Sequence, residues 1–320
     1  MSFFLGIDTS NYTTSAAVYD DEKDRMYSVR RLLDVEPGKI GLRQRDAVFI
    51  HTLQMPEILS GLFSQTGKIE LSASAASEKP REVEGSYMPC FLVGSSHARA
   101  AALTLGIPYF GFTHQQGHLV AGAWSAGRMD LLDVPFIALH ISGGTTELLF
   151  TEPTGDGLIT AKRIGGTADL AAGQLVDRCG HMLGLGFPAG PEIEKLAMER
   201  TEEKYFVPRQ QGLEFSLSGL ENKVRNMLDS KESASNIAFF VLKSITEVLC
   251  SAIEKALSMH PGTPVLCAGG VMSNSIIRSE LEKRYGAIFA QPAYASDNAA
   301  GIALLAARVF RKGVDVVAAK

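Results

Sequence analysis

The residues that most directly indicate chemistry are two histidines in the segment Thr113-His114-Gln115-Gln116-Gly117-His118. If this segment is helical, residues four apart lie one turn above each other on the same face, so both imidazoles can bind one metal ion. Two ligands do not complete a metal site. The rest of the chain must therefore supply further donor groups and a substrate on which the metal acts.

The composition indicates a globular protein with a large core. The chain has 320 residues, of which 46% are hydrophobic, and this length favours two domains or lobes. Its 31 Lys and Arg residues against 35 Asp and Glu give a net charge of −4, and no basic run stands out. This composition lacks the electrostatic footprint of a self-sufficient nucleic-acid binder, so we expect an RNA substrate to bind with help from a partner.

The cysteines and the N-terminus favour a cytoplasmic protein. Cys90, Cys179, Cys250 and Cys267 are scattered without a C-x-x-C pair, which is typical of reduced, buried thiols. The first residues lack the basic leader of a signal peptide, and no stretch approaches membrane-spanning length.

The order of strands and helices predicts an α/β fold. Phe3 to Ile7 is a short apolar run typical of a buried strand, and Thr14 to Tyr19 predicts a second strand after a polar turn. The hydroxyls and amide of this hairpin tip can bind phosphate, although an ordinary polar turn explains them equally well. The turn comprises Asp8, Thr9, Ser10 and Asn11.

The second half of the chain begins in the same way as the first. Pro135 to Ile141 predicts a strand, which is followed by Ser142-Gly143-Gly144-Thr145-Thr146 and a further strand from Glu147. The two glycines let the backbone approach a ligand and direct its amides at an anion. Two strand, turn and strand units predict an internal duplication in which the two loops face each other.

The segments between these units are less regular. Residues 44–63 predict a helix that Pro56 kinks or splits. Residues 64–86 are polar and indicate a connection or a weak helix, whereas Met88 to Val93 resembles a buried strand.

A third loop follows the apolar strand from Pro264 to Ala268. Gly269 and Gly270 can lie against a nucleoside while Asn274 binds a sugar or base edge, and a tight turn between strand and helix is the alternative. Near the C-terminus, Ser296 or Asp297 can cap the last helix, and the Asp297 carboxylate can equally complete a metal site with two histidines.

Taken together, these segments resemble the TsaD family, also called YgjD or Gcp, over nearly the whole chain. Its members are ATP-dependent tRNA threonylcarbamoyl transferases once labelled sialoglycoprotein endopeptidases. The matching segments, in the family's order, are Gly6-Ile7-Asp8-Thr9-Ser10, His114-Gln115-Gln116-Gly117-His118, Ser142-Gly143-Gly144-Thr145-Thr146-Glu147-Leu148, Ala171-Ala172-Gly173 to Asp177, Gly190-Pro191-Glu192-Ile193-Glu194, Phe215-Ser216-Leu217-Ser218-Gly219-Leu220, Ala268-Gly269-Gly270-Val271 to Asn274, and Ser296-Asp297-Asn298-Ala299-Ala300.

The resemblance implies a metal bound by His114, His118 and Asp297. His140 stands where archaeal relatives have a tyrosine ligand, so it is either a fourth ligand or a satisfied core histidine. Iron and zinc both fit such nitrogen and oxygen donors. The resemblance implies ATP, ADP or an adenylate as the second cofactor. The residues it implies as nucleotide contacts are Ser142, Gly143, Gly144, Asp177, Gly190, Glu194 and Asn274. The loops described above add Asp8, Thr9, Ser10, Gly269 and Gly270 as candidate contacts.

The resemblance also implies the architecture and the partners. The family's fold is the duplicated, two-lobed fold of actin, sugar kinases and heat-shock chaperones (ASKHA), with nucleotide and metal in the interlobe cleft. We expect lobes at residues 1–133 and 134–320, with helix 297–313 packing back on the N-terminal lobe. The expected partners are nucleotide, tRNA and either a smaller TsaB-like subunit or a second copy of this chain, with no membrane.

Four departures from the family pattern affect the acceptor side and indicate a divergent paralogue. Tyr12-Thr13 replaces an Asp-Glu pair, Thr145 replaces histidine, Tyr87-Met88-Pro89-Cys90 replaces a Gly-Pro-Gly segment, and Glu221 replaces lysine. No residue is an obvious general base.

Three functions therefore remain open. The first is threonylcarbamoyl transfer to N6 of adenosine in tRNA. The second is carbamoyl-type transfer to an acceptor other than tRNA, and the third is a non-catalytic, nucleotide-binding scaffold or regulator. A metalloprotease is disfavoured because Gln115 follows His114, where the His-Glu-x-x-His motif requires glutamate.

Overall fold

The structure is a computed structural model that describes residues 2–10, 12–33, 42–295 and 298–313. Its strands are β1 (Phe3–Ser10), β2 (Thr13–Asp20), β3 (Arg25–Leu32), β4 (Leu71–Lys79), β5 (Tyr109–Thr113), β6 (Phe136–Ile141), β7 (Thr146–Pro153), β8 (Ile159–Thr167), β9 (Gln210–Gln211), β10 (Glu214–Phe215), β11 (Val265–Ala268) and β12 (Ile288–Phe289). Its α-helices are α1 (Gln44–Thr66), α2 (Phe91–Leu105), α3 (His114–Ser125), α4 (Ala172–Met182), α5 (Gly190–Met198), α6 (Ser218–Asp229), α7 (Ala234–Met259), α8 (Ser275–Tyr285) and α9 (Ala300–Arg311).

The chain divides into two compact units. The first comprises residues 1–134, 152–161 and 297–320, and the second comprises residues 135–151 and 162–296. One sheet has the order β3-β2-β1-β4-β5, and the other contains β8-β7-β6-β11-β12 in the same succession, extended by β10 and β9 beyond β8. In both sheets a hairpin precedes parallel strands. The α/β prediction is therefore confirmed.

Helices pack on both faces of the first unit's sheet, and the alternating residues of β1 show which helices cover each face. Ile7 points to the face where α1 and α2 complete a core with Met55, Leu62 and Ala98. Gly6 points to the opposite face, where a Cβ atom would lie 2.5 Å from the backbone nitrogen of Ala303 in α9. The same alternation places Asp8, two residues further along β1, on the face that α9 covers.

The core of the second unit surrounds α7. Ile137, Leu139 and Ile141 of β6 pack into the same cluster as buried residues of α4, α5, α6 and α8. Contrary to expectation from the sequence, α7 is long and apolar enough to cross a membrane, but 83% of its most apolar window is buried. Such burial is typical of the core helix of a soluble protein.

Three local predictions are wrong. The polar turn expected over Asp8, Thr9 and Ser10 is part of β1, which pairs with β2 as far as Ser10 and Thr13. Residues 64–86 contain β4, whose buried alanines and serines have low strand propensity but fit beneath α2. Met88 to Val93 is not a strand, because α2 begins at Phe91.

Pro56 lies inside α1 without splitting it. The helix is continuous from Gln44 to Thr66, and its buried face contains Met55, Ile58 and Leu62. Packing of this face on the sheet offsets the hydrogen bond that proline removes.

His51 of α1 provides a pH dependence of stability. It is fully buried, with its Nδ1 2.8 Å from the Thr14 hydroxyl, and burial lowers its pKa from 6.5 to about 4. Between these values the unfolded chain binds a proton that the folded chain does not, so acidification through this window should remove about 3 kcal/mol of stability.

His51→Gln should flatten this part of the pH profile, because glutamine can still bond to Thr14 without titrating. Urea unfolding at pH 7 and pH 4.5 measures the effect, with His181→Gln at an exposed position as the control. If His51→Gln and the unmodified protein lost equal stability between pH 7 and pH 4.5, the pH dependence could not be assigned to His51.

Candidate metal and nucleotide sites

A capping box fixes the start of the helix that carries His114 and His118. The Thr113 hydroxyl accepts a hydrogen bond from the Gln116 backbone N–H at 3.1 Å, and Gln116 Oε1 accepts from the Thr113 N–H at 3.0 Å. Gln116 Nε2 also donates to the Ile159 carbonyl at 2.9 Å. The segment is therefore helical from His114 onward, which meets the condition for both imidazoles to lie on one face.

The two histidines form a hydrogen-bonded chain with Asp8. His114 Nδ1 lies 2.7 Å from Asp8 Oδ2, and His118 Nε2 lies 2.9 Å from His114 Nε2. Asp8 is 1% exposed, and its other oxygen accepts from the Ser10 N–H at 2.9 Å. The carboxylate holds the proton of His114 on Nδ1, which leaves the Nε2 lone pair directed toward His118.

This arrangement fits one side of a metal centre. Two nitrogen donors about 2.1 Å from one ion lie about 3.0 Å apart at a right angle and about 3.4 Å apart at the tetrahedral angle. The two Nε2 atoms, 2.9 Å apart in a hydrogen bond, would have to separate slightly to hold a tetrahedral ion. Asp8 occupies the place of the carboxylate that commonly orients a metal-bound histidine. Within the described ranges, no group of three or more His, Cys, Asp or Glu side chains could hold a metal.

The other two expected metal ligands are not placed in this cluster. Asp297 lies outside the described residues. His140 belongs to the second unit, near the end of β6, where it is 8% exposed and pairs in register with Glu147 and Ala268. It lies on the strand face opposite Leu139 and Ile141.

Helix α9 contacts the turn between the two histidines. A Cβ atom on Gly301 would overlap the carbonyl oxygen of Gly117, and one on Gly117 would lie 3.0 Å from Ile302 Cδ1. The Asn298 side chain accepts from the Ala300 N–H at 3.0 Å and fixes the approach to the helix. The chain immediately after Asp297 is thus held against the histidine helix.

Thr9 and Ser10 are buried in the strand rather than exposed at a hairpin tip. The Thr9 hydroxyl donates to the Cys90 carbonyl at 2.9 Å and accepts from the Gly94 N–H at 3.0 Å, so it fixes the first turn of α2. Ser10 Oγ is buried and has no hydrogen-bond partner in the described parts of the chain.

In the second unit, the loop after β6 is a tight turn with two open glycines. Ser142 N–H donates to the Thr145 carbonyl at 2.8 Å, and its hydroxyl accepts from the Thr145 N–H at 3.2 Å. Gly143 and Gly144 are exposed, and a Cβ atom at either would meet nothing within 4 Å. Their backbone is therefore accessible to a ligand.

Two further glycines bring neighbouring elements against this loop. A Cβ atom on Gly173, in the first turn of α4, would lie 2.6 Å from the Ser142 carbonyl oxygen. Gly269, with φ at 103°, approaches the Ile141 carbonyl so closely that a Cβ atom would overlap it, while Gly270 is open. The loops after β6 and β11 therefore lie side by side at the carboxyl ends of their strands, where ligands of open α/β sheets bind.

The remaining predicted nucleotide contacts lie within α4, on α5 and at the N-cap of α8. Asp177 Oδ1 accepts from the Ala189 N–H at 2.9 Å, just before Gly190 opens α5. Asn274 Oδ1 caps α8 by accepting from the N–H groups of Ile276 and Ile277 at 3.1 and 3.2 Å. Glu194, in the middle of α5, accepts from the Ser275 N–H at 2.9 Å and so links α5 to the first turn of α8.

Several of these relations were missed from the sequence. The contact of Asp8 with His114 joins residues 106 apart, and no local pattern indicates it. The sequence gives a weak indication of the contact between Gly117 and Gly301, because a glycine inside a helix often marks a close approach of another element.

A scan against protein families matches residues 51–304 to the TsaD family, described as tRNA N6-adenosine threonylcarbamoyltransferase. The chain belongs to the TsaD family. This membership confirms the resemblance and indicates a transferase with a role in tRNA processing.

Solved structures share the fold of this TsaD-family chain. Component A of (R)-2-hydroxyglutaryl-CoA dehydratase from Acidaminococcus fermentans has a TM-score of 0.57 at 15% identity, over 98% of this chain and 100% of that one. The activator of 2-hydroxyisocaproyl-CoA dehydratase from Clostridium difficile gives 0.54 at 13%, over 99% and 100%. HypF from T. kodakarensis gives 0.58 at 11% over 98% of this chain, which spans 48% of HypF. These similarities establish the ASKHA fold.

Proposed function

We propose that this protein is a metal- and ATP-dependent transferase that moves a threonylcarbamoyl group from a carbamoyl-adenylate to N6 of adenosine in tRNA. The observation that carries the proposal is the chain of Asp8, His114 and His118 in a member of the TsaD family. We place the reaction in the cytoplasm, which the four free, buried cysteines support.

The metal ligands in this proposal are His114, His118, Asp297 and His140. The contact of Gly301 with Gly117 supports Asp297, because it holds the helix that follows Asp297 against the turn between the histidines. Nitrogen and carboxylate donors suit iron or zinc. When bound, such an ion polarises the carbonyl oxygen of the carbamoyl group.

The nucleotide of the adenylate binds to the glycine loops of the second unit. Backbone amides of Gly143 and Gly144 face the phosphate, and the open backbone at Gly270 faces the nucleoside. Asp177, Glu194 and Asn274 hold the helix starts around it and offer oxygen atoms to the sugar. Two proteins of the same fold support nucleotide binding in general: the C. difficile activator, solved with bound ADPNP, and a HypF solved in a phosphate- and nucleotide-bound form.

The protein's own contribution to the transfer is binding and orientation. The acceptor amine forms a bond to the carbamoyl carbon, the bond from that carbon to the phosphate oxygen breaks, and AMP leaves with the electron pair. The amine proton passes to solvent or to the leaving phosphate, since no described side chain is assigned as its base.

A second function is favoured by the residues at the first hairpin. Tyr12 is 37% exposed and Thr13 is buried in β2, in the place of the acidic pair of the family. An acceptor other than tRNA, receiving the same group, would explain this loss of acidic side chains.

A partner subunit is proposed to bind at α1 and α2 of the first unit. Phe49 and Leu53, one turn apart on α1, are 64% and 60% exposed, and Leu103 on the neighbouring α2 is 84% exposed. Exposed apolar residues on adjacent helices suit a helical interface with a TsaB-like subunit, or with a second copy of this chain in its absence.

The deciding experiment incubates the protein with threonylcarbamoyl-adenylate, unmodified tRNA and Fe²⁺ or Zn²⁺, with and without the TsaB-like subunit. Modified adenosine, measured by mass spectrometry of the digested tRNA, is the expected product. Metal-dependent binding of the adenylate without modification of tRNA would contradict the proposal. Transfer to a small amine or a protein in parallel reactions would then select the second function over a scaffold.

A further inference from the structure

An open groove of about 640 Å³ lies in the second unit, between α4, α6 and the loop before α5. We call it the Phe187 groove. Two arginines (Arg178 and Arg225) and two carboxylates (Glu221 and Asp177) line it, together with His181, Phe187 and an apolar strip of Met182 and Leu185. The Asp177 carboxylate already accepts a hydrogen bond from the Ala189 N–H. A cavity of this volume is in the range that holds one nucleotide-sized ligand.

One carboxylate fixes two guanidinium groups in this groove. Glu221 accepts from Arg178 Nη1 at 2.9 Å and from Arg225 Nη2 at 2.8 Å. The hydrogen bond from Arg225 lowers the pKa of Glu221 most, and the hydrogen bond from Arg178 lowers it further. The bridging carboxyl group is therefore ionised near neutral pH.

Both arginines retain donors for a further anion. The side chains of Arg178 and Arg225 are 56% and 59% exposed, whereas Glu221 is 15% exposed. Each guanidinium has five N–H groups and uses one of them on Glu221. The groove therefore offers two positioned guanidinium groups, and these bind phosphate through several donors at once.

Phe187 adds a flat apolar surface beside these charges. It is 87% exposed, an unusual position for phenylalanine. An exposed aromatic ring next to arginines is the combination that binds single-stranded nucleic acid, in which bases stack on the ring and the backbone meets the cations.

We propose that the Phe187 groove binds one nucleotide of the acceptor RNA, with its base stacked on Phe187 and its phosphate held by Arg178 and Arg225. This inference rests on the proposed function and adds where the RNA strand is held. Glu221, where the family usually has lysine, lowers the local positive charge and makes this contact weaker than a three-cation site would be.

The test uses fluorescein-labelled decaadenylate RNA and fluorescence anisotropy over a series of NaCl concentrations. Phe187→Ala should weaken binding about tenfold through the lost stacking. Arg178→Gln and Arg225→Gln should each reduce the slope of log affinity against log salt by about 0.7. Glu221→Lys should tighten binding and steepen the slope.

Matched controls are available at exposed positions of the first unit. Phe310→Ala removes another exposed phenylalanine, and Arg128→Gln removes an arginine that also pairs with one carboxylate. Neither should change RNA binding. Equal binding by Phe187→Ala, Arg225→Gln and the unmodified protein would overturn the inference.

Failure of this inference is distinguishable from failure of the proposed function. Groove-dependent RNA binding without transfer to that RNA or to tRNA would contradict the proposed function and support the groove. Transfer to tRNA by Phe187→Ala and Arg225→Gln at the KM of the unmodified protein would contradict the groove and support the proposed function.

Discussion

Replacing His114 by alanine is expected to lower the affinity for a divalent metal by a factor of about 100 or more. His114 Nε2 is one of two imidazole nitrogens 2.9 Å apart, and the buried Asp8 holds its ring in place. Loss of an outer partner of a metal-bound histidine costs about 10- to 100-fold in affinity, and loss of the ligand itself costs more. Asp8→Asn is therefore expected to give the smaller effect.

The measurement is a Co²⁺ titration followed by visible absorption and by the fluorescence of Trp124. This is the chain's single tryptophan, and it lies on α3 with its indole N–H 2.7 Å from Asp24 Oδ1. His181→Ala, at an exposed histidine, serves as the control. Undiminished binding by His114→Ala would contradict the metal site, and undiminished binding by His140→Gln would remove His140 from the ligand set.

Gly301→Ala is expected to destabilise the protein by about 3 kcal/mol, near the upper end of the usual cost of overpacking. The added methyl group would overlap the Gly117 carbonyl oxygen, and backbone on both sides leaves no flexible side chain to move. Because α9 must shift from α3, metal affinity should fall together with stability. Urea unfolding and the Co²⁺ titration measure the two effects.

Gly219→Ala is the matched control for this substitution. Gly219 also lies in a helix, but a Cβ atom there would meet nothing within 4 Å. Alanine should therefore leave stability unchanged or raise it by up to about 1 kcal/mol. If Gly301→Ala unfolded at the same urea concentration as Gly219→Ala, the close contact of α3 and α9 would be refuted.

Features encoded within one segment were predictable from the sequence. The helical pattern of residues 44–63 predicts α1, and the apolar run before Ser142 predicts β6. The repeated strand, turn and strand pattern predicts the repeated strand order of the two sheets.

Features that depend on distant packing were not predictable. Alanine has a low intrinsic strand propensity, and the alanines of β4 fit there because α2 packs on this strand. The turn predicted at Asp8 failed because a polar residue inside a strand looks the same in sequence whether it faces solvent or a buried histidine. The assignments of His140 and Asp297 as ligands stay predictions.

The packing of α9 on β1 and α3 also affects the order in which the first unit can fold during synthesis. At the usual 5–20 residues per second, roughly 10–40 s separate synthesis of the histidine helix from that of α9. During this interval the face of β1 that carries Gly6 and Asp8 lacks its covering helix. The core of the first unit is therefore completed only when α9, near the end of the chain, has been synthesised and packs on β1 and α3.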